Sequence, residues 1–202
     1  MASPATEEHT QARSGIVALL HKLFHLHSAN TCQPSHVEPL VLIFGGTLTL
    51  ADRQLLSVFR LFEVTRKASV SSLLSNWSPT PDGSCVTALE AIQNLDPARV
   101  MKTCVSFPQH YDGGVDYEPA IADGRDYDPV FIMLLFARML TDSIPTTALA
   151  WVQTFRTNIV SLLIRALSSH KGDVRALAML QLAGLYASLQ VRPLIPTDTS
   201  YR

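Results

Sequence analysis

His21, His25, His27, Cys32 and His36 are the densest set of side chains in this sequence that could hold a metal ion. His21 and His25 share a helix face at i and i+4, a spacing used by some zinc sites. No acidic residue stands between them, so the metalloprotease pattern is absent. Histidines near a helix end, favoured there by the helix dipole, are the better account. Asp123-Gly124-Arg125-Asp126-Tyr127-Asp128 is acidic, but it lacks the alternating oxygen ligands and later glutamate of an EF-hand. A solvated loop ending in the helix cap Asp128 fits it better. Gly45-Gly46-Thr47 has the glycines of a phosphate cradle, yet no Lys-Ser/Thr follows and no strand precedes it. There is no serine elbow, and no pair of carboxylates with an evident cleft. The expectation is a protein that is not an enzyme and takes no cofactor, no metal and no small-molecule substrate.

Composition points the same way. The 202 residues suit one domain or one block of a larger solenoid. A hydrophobic fraction of 47% and a mean hydropathy of +0.17 allow a substantial core. Charged residues make up only 16%, thin cover for an isolated domain, so part of the surface is expected to meet something else. The net charge of −1 offers nucleic acid or anionic lipid no bulk attraction, so any contact with RNA is expected to be indirect. Cys32, Cys85 and Cys104 are odd in number and widely spaced, which suits reduced thiols. Met1 to Arg13 has no basic region followed by an apolar run, so no signal peptide is expected there. The apolar run Val130 to Leu140 is interrupted by Arg138 and falls short of the ~20 residues that span a bilayer. No membrane partner is expected.

These residues must be positioned by helices. Ile159, Leu162, Leu163 and Ala166 recur at i, i+3, i+4 and i+7 on one helix. The turn Ser168-Ser169-His170-Lys171-Gly172 separates it from a second helix bearing Val174, Ala178, Leu182, Leu185 and Leu189. Gly172 suits a left-handed helix end and Asp173 suits a cap. This pair, with Arg175 pairing locally or with a neighbouring repeat, looks like a HEAT-type unit that needs neighbours to bury both faces. Thr49 to Lys67 forms another amphipathic helix, with Thr49 and Asp52 as a capping box and Leu55, Val58, Phe59 and Phe62 inward. Asp96-Pro97 and Asp128-Pro129 each pair a cap with a proline in the first turn. Ser14 can open a helix whose stripe is Ile16, Leu19, Leu20 and Leu23. The periodicity gives an all-α, HEAT/armadillo-like α-solenoid segment. Its expected parts are a disordered tail at 1–13, a first helical group at 14–107, an irregular loop at 108–127, a HEAT-like group at 128–190 and a frayed tail at 191–202.

Several stretches also occur together in a recognisable order. They include Phe24-His25-Leu26-His27, Asn30-Thr31-Cys32-Gln33-Pro34, His36-Val37-Glu38-Pro39-Leu40, and Gly46-Thr47-Leu48 with Ala51-Asp52-Arg53. Leu95-Asp96-Pro97-Ala98-Arg99-Val100, Tyr127-Asp128-Pro129 with Phe131, and Ala166-Leu167-Ser168-Ser169 with Arg175 follow. From about Leu23 to Tyr186 this set resembles the C-terminal region of the nucleolar pre-ribosomal-associated protein 1 family. The resemblance implies a non-catalytic scaffold in the nucleolus, acting early in assembly of the large (60S) ribosomal subunit and in pre-rRNA processing. It implies partners among pre-60S components and assembly factors, including a DEAD-box helicase. Family proteins are much longer, so this chain is expected to be a piece of the C-terminal part. The rival reading is a generic armadillo-like adaptor in the cytoplasm.

The stretch singled out for partner contact is Asn30 to Pro39, with Asn30, Thr31, Cys32, Gln33, Pro34, His36 and Glu38 as the candidate residues. A loop that only packs on its neighbours is the equal alternative. The structural caps expected are Thr49, Asp96, Asp128 and Asp173.

Overall fold

A computed structural model describes residues 4–74, 76–79, 85, 87–116 and 126–191, with side chains from His9 to Gln190. The regular elements among them are all helical, apart from one isolated antiparallel bridge between Thr47 and Tyr127. The fold is all-α. Its helices are α1 (Pro4–Leu26), α2 (Ser28–Thr31), α3 (Val37–Leu42), α4 (Leu50–Arg66), α5 (Val70–Leu73) and α6 (Ala88–Gln93). They continue with α7 (Pro97–Val105), α8 (Pro129–Asp142), α9 (Ala148–Arg156), α10 (Ile159–Ala166) and α11 (Gly172–Val191).

The expectation of a disordered tail at 1–13 is corrected over 4–13, where the backbone is helical from Pro4, while residues 1–3 lie outside the described residues. Proline suits the first helical position, where its missing N–H costs nothing. The stripe expected on this helix is corrected as well. Val17 and Phe24 are buried and Leu20 packs on the core, while Ile16, Leu19, Leu23 and Leu26 face outward. Both faces of α1 are apolar, so two registers satisfy the helical period, and α4 takes the one centred on Val17, Leu20 and Phe24.

The other amphipathic helices follow their patterns. Leu55, Val58, Phe59 and Phe62 of α4 are buried, as are Ile159, Leu162, Leu163 and Ala166 of α10. On α11, Val174, Ala178 and Leu185 are buried and Leu182 and Leu189 pack against the core. The polar Gln181 shares that stripe, its Nε2 donating to the Met133 carbonyl at 2.7 Å. The outer face of α11 carries the exposed Met179, Leu180 and Tyr186. Helix α8, apolar nearly all round, is central: it packs against α5, α6, α10 and α11. One continuous core therefore joins the helical groups at 14–107 and 128–190. In the loop at 108–127, residues 117–125 lie outside the described residues, as do 192–202 of the C-terminal tail.

Three of the four expected caps hold. Thr49 Oγ1 accepts from the Asp52 N–H at 3.3 Å. Asp96 Oδ1 accepts from the N–H of Ala98 and Arg99, and Asp128 Oδ1 from those of Val130 and Phe131. Asp173 is the correction. Gly172 opens α11 instead of ending α10, which puts Asp173 inside the first turn, where no cap hydrogen bond is recorded for it. The carbonyl of Lys171 receives the first helical bond, from the Arg175 N–H. Arg175 pairs locally, donating to the Ser169 carbonyl at 2.6 Å. Asp173→Ala should therefore cost only what the helix dipole supplies to an exposed carboxylate, about 0.3–1 kcal/mol in low salt, fading as salt rises. Urea titrations at two ionic strengths check this.

Asp52 departs from the capping box. Its buried carboxylate turns away from its own helix start to accept from the N–H groups of Gly45 and Thr47, both at 3.0 Å, from the Thr47 hydroxyl and from Arg13. It thereby fixes the loop that enters the Thr47 bridge. There the Leu48 N–H donates to the Asp126 carbonyl at 3.0 Å and the Asp128 N–H to the Gly46 carbonyl at 2.9 Å. Gly46, at φ +65°, lies under Phe131, where a Cβ would come within 2.5 Å of the ring.

Asp128 adds a pH dependence. Burial pushes its carboxyl up to about 6, although hydrogen bonds from Tyr111, Phe131 and Val130 and the charge of Arg60 pull the other way. The folded state thus holds this proton between the ordinary 3.8 and about 6. Stability supplied by this group is fully present below that window and is lost as pH rises through it. Asp128→Asn keeps a capping side chain without the titration. Its stability relative to the native chain should improve on going from pH 4 to pH 7, as read by urea unfolding at both values.

Candidate functional site

The segment Asn30 to Pro39 folds as the end of α2, a single 3-10 turn (Pro34–His36) and the start of α3. Its candidate residues divide. Cys32 is fully buried, with its thiol pushed up by burial, and its carbonyl accepts from Arg66 Nε at 2.7 Å. Arg66 Nη2 also holds the Ala29 carbonyl, at 3.1 Å. Thr31 Oγ1 bonds the His27 carbonyl and Gln33 Nε2 the Asn30 carbonyl. His36 Nδ1 lies 2.6 Å from the Thr31 carbonyl, and its ring meets Phe24 edge-on. These four residues build the turn. Asn30, Pro34 and Glu38 are exposed, and only Pro34 and Glu38 of the candidate set reach an opening in the surface.

That opening is a groove of about 460 Å³ between α3 and the segment containing α5. Val37, Val41, Leu42 and Leu73 supply apolar walls, with Asn76 and Cys85 completing them. Val41 and Cys85 are buried, whereas Leu42 is 73% exposed at the rim. Glu38 is the one charged residue among the described lining. The sequence reading missed Leu73, Asn76 and Cys85 because they come from a distant stretch. Leu42 was legible in principle, as a leucine on the outer side of a short helix. A second groove, of about 400 Å³, includes Arg60, Glu63, Asp112 and Asp173 in its lining. Its charges are largely engaged: Asp112 pairs with Lys171 at 3.0 Å, and Arg60 donates to the Asp112 carbonyl at 2.6 Å.

His21 and His25 meet, their ring centroids 4.1 Å apart, but among the described residues no third ligand joins them. His25 Nδ1 lies 2.8 Å from the His21 carbonyl and its Nε2 3.3 Å from the Ser57 hydroxyl. His21 is held below the ordinary imidazole range by burial and by the neighbouring His25. Among the described residues no three His, Cys, Asp or Glu side chains cluster as metal ligands would. Among those residues, too, no helix is long and apolar enough to cross a membrane.

Comparison with curated proteins gives two relatives. Nucleolar pre-ribosomal-associated protein 1 from Mus musculus is 25% identical over 188 residues, an alignment covering 80% of this chain and 8% of the relative. The protein of the same name from Homo sapiens is 23% identical over 203 residues, covering 90% of this chain and 9% of the relative. The resemblance read from the sequence stands. The chain spans less than a tenth of the length of either relative. No family profile matches the chain, and no solved structure does.

Proposed function

We propose that this chain is a non-catalytic helical-repeat scaffold segment, acting in early nucleolar assembly of the large (60S) ribosomal subunit and in pre-rRNA processing. The observation that carries this reading is similarity along most of the chain to two proteins named as nucleolar and pre-ribosomal-associated. Those names support a nucleolar location and a general part in ribosome biogenesis. The large subunit, the scaffold role and a DEAD-box helicase partner are the finer steps proposed here.

The packing supports the scaffold. Helices α1, α4, α8 and α11 are joined through one core, and both α1 and α11 keep apolar outer faces. Further helical layers stacked on such faces would extend the arrangement as a HEAT- or armadillo-like solenoid. Partner contact is assigned to the exposed part of the Asn30–Pro39 stretch, at Pro34 and Glu38.

Immunoprecipitation from native cells, with an antibody to this segment, tests the reading. Large-subunit rRNA precursors should be enriched. Their absence from an efficiently recovered antigen overturns it. Glu38→Ala should lower that recovery severalfold while costing the fold no more than the helix dipole supplies to an exposed first-turn carboxylate, about 0.3–1 kcal/mol. His36→Ala is the poorer probe, since His36 also holds the turn together.

A further inference from the structure

We propose that the groove beside α3 takes a short peptide segment of a partner protein, with one apolar side chain seated against Val37, Val41 and Leu73 and one lysine or arginine paired with Glu38. This rests on the partner-docking reading above and names the chemistry of the partner. The opening, about 460 Å³, is of a size that admits one or two side chains. Its floor is apolar and buried at Val41 and Cys85, while Leu42 stands exposed at the rim.

Charge decides the second contact. Glu38 is the one charged residue in the described lining and makes no recorded ion pair. A carboxylate beside apolar surface favours a cation, whose attraction is less screened there than in open water. The same charge disfavours the phosphates of RNA. The groove is also built in advance. Arg66 clamps two carbonyls of the preceding turn, Cys32 is sunk in the core, and Pro34 opens the 3-10 turn after an extended Gln33 (φ −96°, ψ 144°). A peptide therefore meets α3 already ordered, which lowers the entropic cost of binding.

Selection of displayed random peptides, each of about twelve residues, tests this directly on the full chain. The native chain and the Glu38→Lys and Leu42→Asp variants are selected in parallel, both substitutions being at exposed positions. The native chain should enrich peptides that combine a Leu, Ile, Val, Phe or Met with a nearby Lys or Arg. Glu38→Lys should replace the basic residue by Asp or Glu in the enriched set and weaken the native consensus peptide about tenfold or more. Leu42→Asp should abolish the enrichment while the chain stays folded, with only the small loss of stability that a carboxylate at the end of α3 brings. Short oligouridine RNA should not displace the bound peptide. No enrichment, one consensus from both the native chain and Glu38→Lys, or displacement by RNA overturns the proposal. If Glu38→Ala lowers rRNA-precursor recovery but no basic-apolar consensus emerges, the docking reading survives and the peptide assignment falls. If the consensus emerges and recovery is unmoved, the groove binds peptide and the docking reading falls.

Discussion

Replacing Phe131 by alanine should cost about 3–5 kcal/mol of unfolding free energy, the range for removing a fully buried phenylalanine from a packed core. Its ring is the hub of an aromatic trio. Phe44 meets it edge-on at 4.9 Å between centroids and Trp77 at 4.6 Å. The Trp77 indole N–H is tied to the Phe44 carbonyl at 2.7 Å, so the partners cannot close easily over the vacated space. The ring also fills the place where a Cβ on Gly46 would stand. Gly46→Ala alone should therefore be strongly destabilising, through the left-handed φ of +65° and the collision with Phe131. In the double variant the collision is gone, so the two costs should add to more than the measured total. Urea unfolding followed by Trp77 and Trp151 fluorescence reads all three variants. A purely additive cycle would place the two residues out of contact.

Asp52→Ala should cost about 2–4 kcal/mol, more than its sequence reading as one half of a capping box implies. Its two oxygens serve separate donors, Oδ1 facing Gly45 N–H and Arg13 and Oδ2 facing the N–H and hydroxyl of Thr47. Removing them strands part-buried backbone donors, each costing about 1–3 kcal/mol when left unsatisfied. Arg13 is a third exposed, so its pairing adds little beyond the hydrogen bond. Asp52→Asn should lose nearly as much as the alanine variant. Either amide orientation points an NH2 group at an existing donor. Denaturant titration of both variants checks this, and an asparagine as stable as the native chain would contradict the geometry.

These two residues show what a sequence can and cannot reveal. Asp96-Pro97 and Asp128-Pro129 marked helix starts correctly because a capping carboxylate and a proline act within three residues of each other. The α10 stripe was legible because one face of that helix is clearly apolar, and on α11 the stripe opened by Val174 and Ala178 was read although Met179, Leu180 and Tyr186 make the outer face apolar too. Helix α1 was not, since Ile16, Leu19 and Leu23 on one side compete with Val17, Leu20 and Phe24 on the other, and only the position of α4 decides between them. Asp52 was read as a local cap because its true donors come from a loop whose course depends on the Thr47–Tyr127 bridge. Gln181 gave no signal at all, because a mid-helix carbonyl on α8 receives it. The candidate site divides the same way: Pro34 and Glu38 were visible as exposed residues of a proline-marked segment. The groove they border needed Leu73 and Cys85, which no local pattern places beside them.

The bridge between Thr47 and Tyr127 spans roughly eighty residues of chain, a closure whose entropic cost is about 4 kcal/mol on a logarithmic law. During synthesis α4 can coil soon after it leaves the ribosome and bring Phe59 to Phe44, but Trp77 must wait for Phe131 to follow. Until then the nascent chain presents the Trp77 indole and an unfastened loop. A translation product that stops short of Asp126 would keep them exposed indefinitely and become a substrate for chaperones or proteases.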